Sequence, residues 1–157
     1  MKKIVLSALL VFSAIGCESD DNKQTNSGSN NTPANIQFST LGKGDATPSS
    51  AIMPRFYVLR SQAEFDAFKT KTNILNGVTV DFAVNEVIVV FDDYKASSGF
   101  TIEIKSISQS DSKLTVEIAK TSVEEGEPVF ATDTQPFHAV RLQKKGLPVV
   151  FNEDDPL

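Results

Sequence analysis

The fold of this chain is decided by the segment Glu86-Val87-Ile88-Val89-Val90-Phe91. Residues 87–91 of this segment are apolar without a break, which is typical of a strand that is buried on both of its faces. A strand of this kind lies in the middle of a sheet. We therefore expect the rest of the chain to be organised around residues 87–91.

The neighbouring segments have the composition and the alternation of further strands. Residues 100–105 and 114–119 alternate between apolar and polar side chains, and residues 108–112 join them. This pattern predicts a β-hairpin with one buried and one solvated face. The remaining strands are predicted, in chain order, at residues 35–41, 56–60, 136–142 and 148–151.

One helix is predicted from Ser61 to a point near Asn73. Ser61 and Glu64 have the spacing of a capping box, in which each side chain accepts a hydrogen bond from the backbone of the other residue. Phe65 and Phe68 follow on one face, with charged residues on the other. We expect this aromatic stripe to cover the core.

Taken together, these elements predict a mainly β fold, or α+β by strict count. Several short strands with frequent turn signals and a single helix are typical of a compact antiparallel β-sandwich or open barrel. The 157 residues of the chain are enough for one core and too few for two good ones. We therefore expect a single β-rich domain over residues 35–157.

The first residues have the pattern of a secretion signal. Two lysines precede an apolar stretch over residues 4–15, which is shorter than the roughly 20 residues that a membrane-spanning helix needs. The stretch ends in Ala14-Ile15-Gly16-Cys17, which resembles the lipobox of bacterial lipoproteins. The resemblance implies a signal peptide over residues 1–16 and a diacylglycerol-modified, acylated Cys17. The alternative is an ordinary secretory leader with an incidental cysteine.

Behind Cys17 the chain is polar and rich in small residues. Residues 18–21 look like the acidic export tag of surface lipoproteins of the Bacteroidetes group, although they could also be a plain solvated start to a linker. Residues 22–34 contain no large apolar side chain, so they cannot repay the entropy of ordering. We expect residues 17–34 to tether the domain to the lipid bilayer of the cell envelope, at the outer membrane, facing outward or into the periplasm.

The formal net charge of −5 bears on the partners of the chain. An acidic surface repels nucleic acid and anionic lipid headgroups, so neither is expected to bind the domain. Cys17 is the only cysteine, which excludes an intramolecular disulfide and a zinc site built from cysteines. No cofactor and no metal site is predicted.

The order of several short motifs resembles the PrcB C-terminal domain family. These motifs are residues 80–82, the strand ending at Phe91, residues 97–104 and residues 135–140. The namesake of that family is an accessory lipoprotein of a surface serine protease complex. The resemblance therefore implies a protein that binds and stabilises a partner, most naturally a protease, without catalysis of its own. Ser98 and Phe100 depart from the glycine and tyrosine that the family carries in this turn.

Two other functions compete with this hypothesis. The turn is also similar to the loop by which chagasin-like inhibitors enter papain-type proteases, which would make the chain an inhibitor. A hydrolase would use His138, the only histidine. No G-x-S-x-G segment is present to offer a serine nucleophile to it. The alternation of its strand places His138 with Val140 and Leu142, so we expect a structural role and no catalytic residue.

The candidate partner contacts are therefore residues in loops. The loop at residues 95–100 consists mainly of small residues and ends in an aromatic residue, and such a loop lets a partner approach the backbone closely. Loops on a rigid β scaffold often carry function. Residues 126–129 and 134–136 are a second, weaker candidate contact. The predicted contact residues are Lys95, Ser97, Ser98, Gly99, Phe100, Gln135 and Pro136.

Overall fold

The computed structural model describes residues 32–47, 51–53, 55–123 and 126–154. The predicted signal peptide, Cys17 and the tether up to residue 31 lie outside the described residues. The elements are β1 (Ala34–Asn35), β2 (Phe38–Ala46), β3 (Phe56–Leu59), α1 (Gln62–Thr72), β4 (Asn85–Phe91), β5 (Thr101–Gln109), β6 (Leu114–Thr121), β7 (Gln135–Gln143) and β8 (Val149–Asp154).

The strands form two four-stranded sheets that face each other, in the orders β1-β5-β6-β8 and β2-β7-β4-β3. This confirms the predicted mainly β fold, and the arrangement is that of a sandwich. Within the described residues the sheets do not close into a barrel. β4 lies between β7 and β3, in the middle of its sheet, as its apolar sequence predicts.

Two hydrophobic cores explain why β4 is apolar on both faces. Val87, Val89 and Phe91 point to one side and pack with Phe65 and Phe68 of α1. The alternate residues of β4 point to the other side and pack between the two sheets, among side chains of β5 and β6. The molecule therefore has three layers, with α1 on the outer face of the sheet that contains β4.

The predicted helix is confirmed together with its caps. The side chain of Ser61 accepts a hydrogen bond from the backbone of Glu64, and the Glu64 carboxylate accepts one from the backbone of Ser61. Asn73 closes the helix in the left-handed conformation, with φ of 54°. Phe65 and Phe68 are buried, so the aromatic stripe covers the core as expected.

Two details of the strands differ from the predictions. The strand predicted over residues 35–41 is two strands, because the chain crosses from one sheet to the other between β1 and β2. β1 also includes Ala34, assigned above to the tether, which pairs with Gln109. The predicted antiparallel pattern fails at β6 and β8, which are parallel. In chain order β7 lies between β6 and β8, but it belongs to the other sheet. The chain can therefore come back to the first sheet with β8 in the same direction as β6.

Candidate functional site

The predicted contact loop is paired with a second loop of the chain. The backbone N–H of Lys95 donates to the carbonyl of Thr134 at 2.8 Å, and the N–H of Thr134 donates back to Lys95 at 2.9 Å. The Thr134 hydroxyl donates to the carbonyl of Ser97 at 2.9 Å. These bonds join the ends of β4 and β7, so both loops have fixed positions at the same end of the sandwich.

Further out, Ser98 holds the backbone of Phe130 by two hydrogen bonds. The N–H of Ser98 donates to the Phe130 carbonyl, and the N–H of Phe130 donates to the Ser98 hydroxyl, each at 3.0 Å. The side chain of Phe130 is nevertheless 73% exposed, and that of Val129 is 49% exposed. We call Ser97, Ser98, Gly99, Phe100, Val129 and Phe130 the Phe130 platform.

Gly99 is required by the chain itself. Its φ is +96°, a conformation that residues with a Cβ rarely adopt. A Cβ at this position would also lie 2.6 Å from Cγ2 of Val123. The close approach that the sequence predicts at this glycine is therefore made by Val123 within the domain.

Phe100 is half-buried and lies between two small cavities. One cavity of about 120 Å³ is lined on its polar side by Asp92, Lys95 and Lys120, and the other, of about 80 Å³, by Lys43 and Asp45. Lys95 Nζ lies 4.8 Å from the centre of the Phe100 ring. Drug-sized ligands occupy cavities of roughly 300–1,000 Å³. Both cavities beside Phe100 are smaller than this.

A network of ion pairs supports the loop from below. Lys120 Nζ lies 3.1 Å from Asp92 Oδ1 and 3.3 Å from Glu153 Oε2, and Arg55 contacts the same Glu153 carboxylate at 2.8 Å. Asp92 Oδ1 is buried and makes no hydrogen bond of good geometry, and the ammonium groups of Lys120 and Lys95 compensate the charge of this carboxylate. Burial lowers the pKa of Lys120, but Asp92 and Glu153 outweigh burial and the pKa is raised.

The formal charges of this network balance. Three cationic side chains face three carboxylates: Arg55, Lys95 and Lys120 face Asp92, Asp93 and Glu153. Among the described residues, no group of three or more His, Cys, Asp or Glu side chains is placed to hold a metal ion.

The structure differs from the expectation of exposed residues at Gln135 and Pro136, because both are buried. Gln135 is fully buried, and its amide donates to the carbonyls of Asp92 and Ile52 at 2.9 and 3.2 Å. Its side-chain oxygen accepts from the N–H of Ile52 at 2.7 Å. These two residues begin β7, and Gln135 anchors the loops. Lys95, Ser97, Ser98, Gly99 and Phe100 remain at the surface.

His138 connects the two sheets, and both of its ring nitrogens are engaged. Nδ1 accepts from the N–H of Ile104 at 2.9 Å, which leaves Nε2–H to donate to the hydroxyl of Thr40 at 3.0 Å. The side chain is buried, and burial, aided by the charge of Lys43, lowers its pKa. A general base needs a ring nitrogen within reach of a substrate. The geometry of His138 is that of a neutral structural residue.

No family model, curated protein or solved structure matches the chain. Among the described residues, the single helix is not long or apolar enough to cross a membrane.

The sequence prediction includes Val129, within the weaker candidate loop at residues 126–129, but it misses the next residue, Phe130. The only local signal is that this apolar pair follows a proline and lies in a segment without strand or helix periodicity. Such a pair is as compatible with burial as with exposure.

Proposed function

We propose that this protein binds a partner protein through the Phe130 platform, as a lipid-anchored accessory protein of a bacterial envelope. The proposed partner is a protease, as the resemblance to the PrcB C-terminal domain family implies. The domain supplies a rigid surface and no catalytic group. The lipid anchor rests on the lipobox-like segment that ends in Cys17.

The observation that carries the proposal is the exposed ring of Phe130 on a fixed backbone. Most aromatic side chains of a domain are buried, because fully burying a Phe contributes about 1.5–3 kcal/mol. Here both backbone groups of Phe130 are bonded to Ser98 while the ring faces solvent. Binding would bury the ring with little loss of backbone entropy, which is the arrangement that gives strong interface anchors.

The position of the platform also favours binding. Phe100 directly precedes the first residue of β5, whereas Ala34 pairs with Gln109, the last residue of the same strand. Nine strand residues span about 27 Å, at about 3.3 Å per residue. The N-terminal side of the domain thus enters at the end opposite to the platform, and the platform is not covered by β1.

The test is capture of partners by the full chain from its own cell envelope. Wild type would be compared with Phe130→Ser and with Val84→Ser. Val84 is the matched control, because its side chain is 56% exposed and lies on a different loop. Loss of a hot spot of about 2 kcal/mol weakens binding roughly 30-fold. We expect Phe130→Ser to lose the partner and Val84→Ser to retain it. A partner held equally by all three chains would contradict the platform.

The nature of the captured protein tests the rest of the proposal. A peptidase whose activity is kept or raised by the added chain supports the accessory role, and one whose activity is lost indicates an inhibitor. A partner that is no peptidase would refute the protease assignment alone. For the anchor, an alkyne-tagged fatty acid should label the wild type, and Cys17→Ser should abolish the labelling.

A further inference from the structure

The strand β8 is an open edge of its sheet. It pairs with β6 in parallel, and within the described residues no strand lies on its other side. The N–H of Leu114 donates to the carbonyl of Pro148. The backbone N–H and C=O groups of the even-numbered residues of β8 therefore point towards β6. The backbone groups of Val149, Phe151 and Glu153 therefore point outward from the sheet, free to pair with another strand.

The other edges carry features that prevent such pairing. β1 has two residues and β3 has four. β2 contains a register shift between Thr40 and Gly42. Short edges and bulges are devices by which proteins avoid pairing with other chains. β8 has six residues without Gly, Pro, Lys or a bulge. Its inward charge, Glu153, is already neutralised by Arg55 and Lys120.

We propose that two copies of this chain associate by antiparallel pairing of β8 with β8, independently of the Phe130 platform. A two-fold axis at Phe151 places Val149 opposite Glu153 of the second copy. In this register, all the outward N–H and C=O groups of Val149, Phe151 and Glu153 find partners. On the outer face, Val150, which is 40% exposed, then lies beside Asn152 of the second copy.

The charges at the two ends of β8 favour a second copy over an unrelated strand. Lys113 lies beside the start of β8, since Leu114 pairs with Val149, and Asp154 ends the strand. Both are exposed, and within the described residues neither has an ion pair. In the proposed register, Asp154 of the second copy lies opposite Pro148, two strands from Lys113. Strands are about 4.8 Å apart, so a lysine side chain reaches across.

The test is cysteine cross-linking of the full chain in cells. Two differently tagged chains are co-expressed, one with Val150→Cys and the other with Asn152→Cys, and then oxidised. These positions form a non-hydrogen-bonded pair with Cα atoms about 4.5 Å apart, within the range of a disulfide. We expect a dimer that carries both tags. The register control pairs Val150→Cys with Asp154→Cys, and Val84→Cys on both chains measures random collision.

Charge reversal gives a second test, because it changes the rate of cross-linking while the positions of the two cysteines stay the same. In the cross-linking pair, Asp154→Lys and Lys113→Glu should each slow dimer formation, and the two together should restore it. A dimer yield no higher than that of the collision control overturns the proposal. Equal yields from the register control, or charge reversals without effect, overturn the pairing described. Resistance to proteolysis confirms that each variant is folded.

Discussion

His138 offers the sharpest test of how the two sheets are held together. We consider the substitution His138→Leu, which replaces the polar ring between the sheets with an apolar side chain of similar size. It removes the acceptor of the Ile104 N–H and the donor to the Thr40 hydroxyl. Thr40 is exposed, so its hydroxyl can turn to water, whereas the Ile104 N–H is left without a partner.

The magnitude follows from that one buried group. Leaving a buried donor unsatisfied costs about 1–3 kcal/mol. The free energy of unfolding should fall by this amount at pH 7.5. For a domain of this size, about 4 °C per kcal/mol corresponds to a fall in Tm of about 4–12 °C.

The same contact makes the wild type sensitive to pH. Burial first, and then the charge of Lys43, lower the pKa of His138, while Glu103 opposes them. The unfolded chain thus binds a proton at a higher pH than the folded chain. The stabilisation by the neutral ring is complete above the ordinary pKa of about 6.5 and is lost as the pH falls below it. The slope is at most about 1.4 kcal/mol per pH unit.

Urea denaturation of both proteins at pH 7.5 and at pH 5.5 measures the loss of stability caused by the substitution and the loss caused by protonation of His138. No other histidine titrates in this window. We expect the wild type to lose stability towards pH 5.5 and His138→Leu to lose less, so that the two proteins approach each other. An equal loss in both proteins, or a variant as stable as the wild type at pH 7.5, would refute the role assigned to His138.

Three further substitutions test local features by their effect on the free energy of unfolding. Gly99→Ala should lower it by about 1–3 kcal/mol, because the positive φ and the contact with Val123 both oppose a Cβ; unchanged urea denaturation would contradict this. Glu86→Leu removes the buried carboxylate that accepts from Arg60 Nε at 2.9 Å, and urea denaturation should show a loss of about 1–3 kcal/mol. Ser61→Ala should lower the free energy of unfolding by about 1 kcal/mol, because the helix cap is lost, and this should lower the Tm. An unchanged Tm would show that the cap does not stabilise the domain.

The parts of the fold that were predictable have local causes. The capping box depends on two residues three apart, Ser61 and Glu64. The hairpin of β5 and β6 depends on alternation within each strand. The place of β4 follows from its own five apolar residues, whatever covers them. In each case the information lies within about ten residues of sequence.

What could not be predicted depends on contacts between distant residues. Gln135 and Pro136 have the composition of a turn, yet Gln135 is buried because its amide satisfies the backbone of Asp92 and Ile52. Similarly, the backbone of Phe130 is held by hydrogen bonds to Ser98, 32 residues away. Neither contact leaves a periodic pattern in the sequence, so the burial of Gln135 and the pairing of Phe130 with Ser98 could not be predicted from it.

The two faces of β4 also determine how the domain can come apart. Val89 belongs to the core under α1, and Val90 belongs to the core between the sheets. Separating the sheets would expose the face of β4 that contains Val90 to solvent, and releasing α1 would expose the face that contains Val89. Because one backbone carries both faces, we expect the two cores to melt in a single cooperative transition, and we expect the amides of β4 to exchange with solvent last.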